Sequence, residues 1–414
     1  MTHKWLHVIG IGDSGIDSLL PKYIEQINSA EVLVGGERQL EFVPNFSGKK
    51  LVLKAPLDKV LDELKTKHQG QNIVVLASGD PLFYGIGAYL ARMVGPEYVE
   101  VIPFVSSLQL AFARCCENWQ DARLISLHGR SIHGLAQKIH GADKVGLLTD
   151  NVNTPSSIAA YLLRFRFHEY KVFVGENLGS EQEKTGWYSI EELVDKLFSP
   201  LTVVVLKRDA DAMPLHFRFG IHDDEFAQRK PVRGMVTKRE VRVLSLSELG
   251  LKSNSVLWDI GACTGSISIE AIHQTPGLQV YAIEKNEEDY QNLLENQARF
   301  RTDFTAIHGR APEGLDKFAA PDAVFIGGNN GELVELLHIC AARLKENGRI
   351  VLNAGTIETL YLAQQTLQTL GFHVSVTLVQ TARSKPILNL TRFEGMNPIY
   401  IVTGWIESGE NNAK

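Results

Sequence analysis

The residues best suited to chemistry stand where an apolar run ends in glycines. Residues 256–260 indicate a buried strand, and residues 261–265 form a glycine turn that leads into a helical segment. Glycines at such a junction let the backbone approach a ligand, and the N–H groups at the start of a helix attract polar or anionic atoms. Glu284 ends the next strand, where a carboxylate can accept hydrogen bonds from both hydroxyls of a ribose. This combination predicts a site for a cofactor that carries an adenosine.

The spacing of the turn separates the possible cofactors. Gly261 and Gly265 stand four residues apart, with Asp259 two residues before them. This differs from the GxGxxG of a dinucleotide site, and no lysine follows as in a P-loop, so a nucleoside triphosphate is disfavoured too. The order of residues resembles the class I S-adenosylmethionine (SAM) methyltransferases, whose usual motif is (D/E)xGxGxG. Cys263 stands at the middle glycine, and because a Cβ requires a negative φ, we expect a slightly different turn there.

Three segments of the first half also place turn residues at strand ends. They contain Gly10 and Gly12 in residues 9–15, Asp80 in an Asp-Pro pair, and Ser106 with Ser107 after a third strand. Taken alone, the Asp-Pro pair starts a turn and one of the two serines caps a helix.

In this order, the three segments resemble the tetrapyrrole methylase family (class III SAM methyltransferases). The marks of that family are a GxGxxG first loop, a Ser-Gly-Asp-Pro loop and a Pro-Gly-(Val/Ile)-Ser-Ser segment, in which Phe104 replaces the glycine here. Residues 34–38 match the subfamily that acts late in the corrin pathway. The resemblance covers residues 5–207.

Short β-rich runs that alternate with longer segments of helical period predict α/β units with mostly parallel sheets. The predicted strands are 6–11, 73–77, 99–102, 124–127, 145–149, 172–174, 201–206, 255–260, 279–283, 304–307, 323–326, 349–353, 373–379 and 399–403. Helical segments of the first half are 21–29, 57–67 and 190–197. We predict an N-terminal tetrapyrrole methylase domain at 1–208, a linker at 209–230, and a C-terminal Rossmann-like class I domain with a seven-stranded sheet at 231–414.

Composition narrows the classes of protein. The 414 residues are 44% hydrophobic and 22% charged, with a formal net charge of −6, so the basic excess of a nucleic-acid binder is missing. No apolar run of about 18 residues predicts a membrane span. The four cysteines have neither zinc-ligand nor disulfide-framework spacing, so we expect no metal site. The N-terminus leads directly into a strand without a leader pattern, and the cytoplasm is the expected location.

A class III half followed by a class I half resembles the precorrin-6Y C(5,15)-methyltransferase (decarboxylating) family, the CobL type, in which CbiE and CbiT domains are fused. The resemblance covers residues 5–405 and implies methylation of a precorrin at carbons 5 and 15, with decarboxylation of the carbon-12 acetate, in cobalamin biosynthesis. It implies one SAM site in each domain and a homo-oligomer. The cofactor-binding residues that it implies are Gly10, Gly12, Asp80, Ser106, Ser107, Thr237, Gly261, Ala262, Cys263, Thr264, Gly265, Glu284, Arg310 and Ala311. Thr237 has a second interpretation as a capping box with Glu240.

A substrate with many carboxylates needs local cations on an acidic protein. Residues 380–398 contain prolines and are not expected to form a crossover helix, so the last strand is predicted to run antiparallel to its neighbour. This segment then leaves from the cofactor edge of the sheet. The proposed substrate-binding residues are Arg233, Arg239, Arg383, Lys385 and Arg392, with Arg229, Lys230 and Arg242 as further candidates. The alternative is that these are solvated surface cations and that 207–236 is a solvated linker.

Other functions fit parts of the same pattern. RNA methyltransferases occur with either of the two SAM folds, but the net charge of −6 disfavours an RNA substrate. A non-catalytic SAM-binding protein that carries corrinoids is disfavoured by the cofactor motifs in both halves. A NAD-linked oxidoreductase has a similar strand–turn–helix junction, but the spacing of the glycines disfavours it. The sequence names no catalytic residue, including the acid for decarboxylation.

Overall fold

The computed structural model divides the chain into two units. It describes residues 4–54, 60, 62–64, 66, 71–212, 216–229, 236–275, 277–328 and 331–406. Unit 1 comprises Met1–Ile132, Ala142–Leu163 and His168–Ala212, and unit 2 comprises His133–Gly141, Arg164–Phe167 and Met213–Lys414. The domain boundaries given above stay a prediction.

Unit 1 contains a parallel five-stranded sheet in the order β3-β2-β4-β1-β5. Its strands are β1 (Leu6–Ile11), β2 (Val32–Gly35), β3 (Lys49–Val52), β4 (Ile73–Ser78) and β5 (Val99–Ile102). The helices around it are α1 (Pro21–Asn28), α2 (Glu37–Glu41) and α3 (Gly87–Val94). The central strands are largely apolar, β4 up to its last residue and β1 apart from His7, as expected for strands that are covered on both faces of a sheet.

A second five-stranded sheet of unit 1 has the order β6-β7-β10-β8-β9 and is mixed, with only β6 and β7 parallel. Its strands are β6 (Arg123–Ser126), β7 (Lys144–Leu148), β8 (Tyr170–Glu176), β9 (Lys184–Tyr188) and β10 (Thr202–Arg208). The helices in this stretch of chain are α4 (Ser107–Arg114), α5 (Leu135–Ile139), α6 (Pro155–Arg164) and α7 (Ile190–Leu193).

Unit 2 contains a seven-stranded sheet in the order β13-β12-β11-β14-β15-β19-β16. Its strands are β11 (Val256–Ile260), β12 (Gln279–Glu284), β13 (Thr305–His308), β14 (Ala323–Ile326), β15 (Arg349–Ala354), β16 (His373–Val379) and β19 (Ile399–Trp405). The helices are α8 (Arg239–Glu248), α9 (Ser266–Gln274), α10 (Glu287–Arg299), α11 (Leu333–Arg343) and α12 (Ile357–Thr369). Only β19 runs antiparallel to its neighbours, which confirms the predicted direction of the last strand.

The segment before β19 forms a hairpin of β17 (Ala382–Ile387) and β18 (Leu390–Gly395), so the predicted absence of a crossover helix is correct. All fourteen predicted strands are present, and none of their ends differs from the predicted one by more than two residues. The sequence missed β2, β3 and β9, which are short runs of four or five residues, and the two hairpin strands β17 and β18. The predicted helix at 57–67 lies mostly outside the described residues, and the one at 190–197 is shortened to α7.

Residues 216–229 are packed into unit 2 rather than solvated. Ile221 and Phe226 are buried in its core, and the Phe226 and Phe300 rings lie 4.8 Å apart. The Asn296 amide clamps this segment, because it accepts from the Ala227 N–H at 2.8 Å and donates to the Ala227 carbonyl at 3.0 Å. Much of the stretch interpreted as a linker therefore contributes to the second core.

Within the described parts of the chain, none of the helices combines the length and apolar character that a membrane crossing requires.

Candidate active sites

The tip of β12 and the turn after β11 meet at one edge of the unit 2 sheet. Glu284 is buried, and one of its carboxylate oxygens accepts from the Cys263 N–H at 2.8 Å while the other accepts from the Asn286 N–H at 2.8 Å. Each oxygen has a second lone pair, so the carboxylate is held in place and can still accept a further donor. The structure thus brings Glu284 and residues 261–265 together, as the sequence predicts.

The turn itself depends on missing side chains. Gly261 has φ +70°, and a Cβ there would lie 2.8 Å from the backbone nitrogen of Gly328, in the loop after β14. Gly265 has φ +73° and immediately precedes α9. The two strand-end loops pack backbone to backbone at this edge, which explains the first glycine of the motif.

Cys263 corrects one expectation. Its φ is +50°, in the left-handed region that the sequence analysis excluded for a residue with a Cβ. The surrounding contacts hold it there, because its N–H donates to Glu284 and its side chain is buried. The backbone therefore keeps a glycine-type conformation without the glycine, at a cost in local strain.

Asp259 lies at the end of β11, directly below this turn. It is 1% exposed; Oδ2 accepts from the hydroxyl and N–H of Ser268, whereas Oδ1 is buried with no hydrogen-bond partner among the described residues. Burial first, and then the charge of Glu284, raises the pKa of Asp259 to about 6, against the opposing Ser268 hydrogen bonds. A buried carboxylate with one unsatisfied oxygen is a place where a donor or a positive charge is favoured.

A third acid, Asp289, lies next to the same turn. It is 1% exposed and pairs with Arg229 at 2.9 Å, so this arginine is occupied. Burial, followed by the charges of Asp289 and Glu284, raises the pKa of the Cys263 thiol and keeps it neutral. The turn is therefore surrounded by acids, with one partly exposed guanidinium beside them.

Thr237 is not the helix cap that its spacing with Glu240 suggests. Helix α8 begins after Lys238, which makes no side-chain cap hydrogen bond, and Glu240 instead binds Arg383. The capping-box interpretation is wrong because the arginine of the hairpin takes the glutamate. The carbonyl of Thr237 accepts from Arg242 at 2.5 Å, and no described contact of its side chain defines a role.

Arg242 is a structural residue and not a surface cation for substrate. It is fully buried and bonds the Glu270 carboxylate at 2.5 Å, Asp223 at 3.3 Å and the carbonyl of Ile221. These bonds tie α8 to α9 and to residues 216–229. Arg242 was a further candidate for substrate binding, and this prediction is wrong because its guanidinium has no access to solvent.

The other proposed substrate cations lie on exposed surface and have carboxylate partners. Arg383 pairs with Asp223 at 2.9 Å and Glu240 at 2.6 Å, and its hydrogen bond lowers the pKa of Glu240 to about 2. Arg239 lies 3.5 Å from Glu240. Lys385 and Arg392 both face Glu394, at 3.0 and 3.8 Å. Arg233 and Lys230 lie outside the described residues.

Arg310 and Ala311 follow β13. Arg310 is about half exposed and pairs with Glu332 at 2.5 Å, so its side chain is directed toward α11. Ala311 is partly buried against the core beneath β12 and β14.

Unit 1 has its own cleft, a cavity of about 760 Å³ between its two sheets. Four of the residues predicted to bind a cofactor line it: Gly12, Asp80, Ser106 and Ser107. Gly10 does not line it. Its Cβ would lie 2.1 Å from the Gly79 carbonyl, so close packing of two loops explains that glycine.

Local hydrogen bonds shape the loops of this cleft. Asp80 accepts from the Leu82 N–H at 2.8 Å, which confirms the predicted turn. Ser106 caps α4 in a capping box with Gln109, which confirms the predicted cap. The Phe104 ring lies against Gly12, whose Cβ would come within 2.7 Å of it.

The sequence analysis missed the basic side chains of this cleft as part of a site. Arg38, His128 and Arg130 line it, and Arg38 forms an ion pair with Asp13. Arg38 belongs to residues 34–38, which the sequence analysis singled out for their family resemblance. The sequence offers little to indicate Arg130, because it lines the cleft only where the fold places the loop after β6.

Comparison with known proteins now bears on both units. A family model described as tetrapyrrole (corrin/porphyrin) methylases matches residues 5–194, and one described as a precorrin methyltransferase domain matches residues 231–408. A precorrin-6Y C(5,15)-methyltransferase [decarboxylating] of Sinorhizobium sp is 34% identical over 405 residues, which are 97% of this chain and 95% of the relative. The chain belongs to the precorrin-6Y C(5,15)-methyltransferase (decarboxylating) family.

Two further relatives match parts of this chain. A cobalt-precorrin-7 C(5)-methyltransferase of Salmonella typhimurium is 37% identical over 186 residues, covering 45% of this chain and 90% of the relative. A probable cobalt-precorrin-6B C(15)-methyltransferase (decarboxylating) of Pyrobaculum calidifontis is 34% identical over 189 residues, covering 45% of this chain and 95% of the relative. The family and the α/β fold that the sequence predicted are therefore confirmed.

Proposed function

We propose that this chain methylates a precorrin at carbons 5 and 15 and decarboxylates its carbon-12 acetate, as a step of cobalamin biosynthesis. The observation that carries the proposal is the match of nearly the whole chain to a relative with this named activity, together with a glycine-lined strand edge in each unit. An RNA methyltransferase, a NAD-linked oxidoreductase and a non-catalytic corrinoid carrier are not favoured by these relatives.

The acids of unit 2 fit a cationic cofactor. When bound, SAM supplies an electrophilic methyl carbon on a positively charged sulfur. Asp259, Glu284 and Asp289 lie around the turn, and Arg229 is the one cation paired with them among the residues that the structure describes, which favours a cation over the anionic pyrophosphate of a dinucleotide. Glu284 retains acceptor capacity for ribose hydroxyls, and within the described ranges the buried Oδ1 of Asp259 has no donor. We propose that the turn residues Gly261, Ala262, Cys263, Thr264 and Gly265, with Glu284, Thr237, Arg310 and Ala311, hold SAM.

We propose a second SAM site in the cleft of unit 1, with Gly12, Asp80, Ser106 and Ser107 at its wall and Gly10 shaping the loop. The cavity of about 760 Å³ is of the size that encloses a small-molecule ligand. By family resemblance, the first unit acts at carbon 5 and the second at carbon 15 with decarboxylation.

The work of the protein is to bind and orient. Holding a nucleophilic carbon in line with a methyl donor lowers the barrier by several kcal/mol. Loss of carbon dioxide requires an electron sink, which the conjugated macrocycle provides. The proposed contacts for substrate carboxylates are still Arg233, Arg239, Arg383, Lys385 and Arg392. The four that the structure describes would exchange the protein carboxylates that they now bind for carboxylates of the substrate. A homo-oligomer and a cytoplasmic location also stay predictions.

Mass spectrometry of the product tests the reaction. Incubation of the full chain with a metal-free precorrin-6B and SAM should give a product with two added methyl groups and one carbon dioxide lost. A product without any added methyl group would refute the proposal.

Two variants test how the sites divide the work. Glu284→Ala should lose methylation at carbon 15 but retain it at carbon 5, and Asp80→Ala should do the reverse. Glu346→Ala and Asp195→Ala, which remove exposed carboxylates of the same two units, are the matched controls. Equal loss at both carbons from either test variant would show that the sites do not act separately.

A further inference from the structure

Arg130 is placed unusually in the cleft of unit 1. It lines the cavity, and its guanidinium lies 5.1 Å from the centre of the Tyr84 ring, which lines the cavity too. Arginine commonly stacks on an aromatic face in this way while its N–H groups remain able to bind an anion.

The backbone of Arg130 is fixed by a network from the loop after β7. The Asn153 amide donates to the carbonyls of Leu127 at 2.8 Å and of Arg130 at 2.9 Å. Asp150 accepts from the Gly129 N–H at 2.7 Å, and backbone hydrogen bonds, first from Asn153, hold the pKa of Asp150 below its usual range. The turn that carries Arg130 is therefore rigid, and the side chain starts from a defined position.

The ring beneath the guanidinium is fixed as well. Tyr84 has φ +54°, a strained value for a residue with a large side chain, and its hydroxyl donates to the Leu124 carbonyl at 3.0 Å. Strain of this kind persists where the surrounding structure determines the conformation, and it is concentrated at functional sites.

Charge pairing distinguishes Arg130 from its neighbour in the cleft. Arg38 forms an ion pair with Asp13, whereas Arg130 has no carboxylate partner among the residues that the structure describes. Exposed apolar side chains, Val105 and Leu201, line the same cavity. An unpaired guanidinium beside apolar surface suits a ligand that has an apolar ring system and acidic groups at its periphery.

We propose that Arg130 binds a peripheral carboxylate of the tetrapyrrole substrate in unit 1 and selects for an acid over an amide at that position. Tyr84 is a positioning residue that holds the guanidinium in place. This inference rests on the proposed function for its substrate class. A planar guanidinium offers two parallel N–H donors to a carboxylate, which an amide side chain of the substrate accepts less well.

Kinetics of carbon-5 methylation by the full chain test this role. Arg130→Gln should raise the KM for precorrin roughly tenfold to a hundredfold, the effect of losing a charge-assisted hydrogen bond. The dissociation constants of the two proposed SAM sites should each change less than about twofold, and retention of the site in unit 1 shows that this unit is folded in the variant. The KM of Arg130→Lys for precorrin should lie between those of the wild type and Arg130→Gln, because lysine keeps the charge but lacks the planar, forked guanidinium.

Arg92→Gln is the matched control. Arg92 is also an exposed arginine of unit 1 that stacks on a tyrosine, at 5.7 Å from the Tyr89 ring, but it does not line the cavity. We expect its KM for precorrin to equal that of the wild type. If Arg130→Gln behaves like Arg92→Gln, the role of Arg130 is overturned.

Fluorescence titration with uroporphyrin, a polycarboxylate tetrapyrrole, provides a readout that needs no turnover. Wild-type protein should bind it more tightly than Arg130→Gln by a similar factor, and both should bind its amide derivative equally. Equal affinity of the two proteins for the acid form would refute the proposal. A wild type that binds uroporphyrin in this Arg130-dependent way but never methylates a precorrin would refute the proposed function alone.

Discussion

Replacing Asp259 by asparagine should change how the stability of unit 2 depends on pH. Burial raises the pKa of this carboxyl from 3.8 to about 6 in the folded chain. Between these values the folded state retains a proton that the unfolded state has released, so the free energy of unfolding falls as the pH rises. A difference of about two pKa units corresponds to about 3 kcal/mol.

Asparagine has the same shape and no charge in this range, so the free energy of unfolding of Asp259→Asn should not fall as the pH rises. The substitution should lower the stability by about 1–3 kcal/mol at every pH, because its amide N–H would be buried without an acceptor. We therefore expect the variant to be less stable than wild type near pH 4 and to gain about 2–3 kcal/mol relative to it by a pH of about 7.5.

Hydrogen exchange of peptides from β11, measured in increasing urea across this pH range, reports the stability of the strand that carries Asp259. Asp316→Asn, an exposed aspartate of the same unit, is the control and should follow wild type at every pH. A constant difference between wild type and Asp259→Asn from acid to neutral pH would mean that burial does not shift this carboxyl.

Two further predictions concern the architecture of unit 2. Gly261→Ala should lower the free energy of unfolding by about 1–3 kcal/mol more than Gly371→Ala. Both glycines have a positive φ, but a Cβ at Gly261 would meet the backbone of Gly328, whereas a Cβ at Gly371 would meet open space. Equal losses of stability in thermal unfolding would contradict the close approach at Gly261. Arg242→Met should cost about 3–5 kcal/mol by leaving buried Glu270 unpaired, and adding Glu270→Met should recover most of it in urea unfolding. A double variant no more stable than the single one would show that the pair is not the cause.

Local pattern was sufficient to predict much of the fold. The strands of unit 2 are apolar runs flanked by polar turns, and the prolines at 386 and 398 correctly excluded a helix before β19. The position of Glu284 follows from the same logic, since a residue at the carboxyl end of one parallel strand lies beside the turn of the next.

Pairing and burial were beyond local pattern because they depend on contacts far apart in the chain. Arg242 and Arg383 are both arginines in polar segments, yet one is fully buried against Glu270 and the other pairs at the surface with Glu240. The positive φ of Cys263 follows from its neighbours and not from its residue type. Arg130 joins the cleft only because β6 and β4 belong to sheets that face one cavity.

The packing of residues 216–229 has a consequence for where the gene of such a two-domain protein can be divided. Gly220 donates its N–H to the Glu270 carboxylate at 2.8 Å, and Ile221 and Asp223 bind Arg242. A gene cut at residue 231, where similarity to the precorrin methyltransferase domain begins, would encode a C-terminal half whose buried arginine has lost two of its acceptors. A division of the gene upstream of residue 216 would instead keep this segment, and the acceptors that it supplies to Arg242, with the C-terminal half.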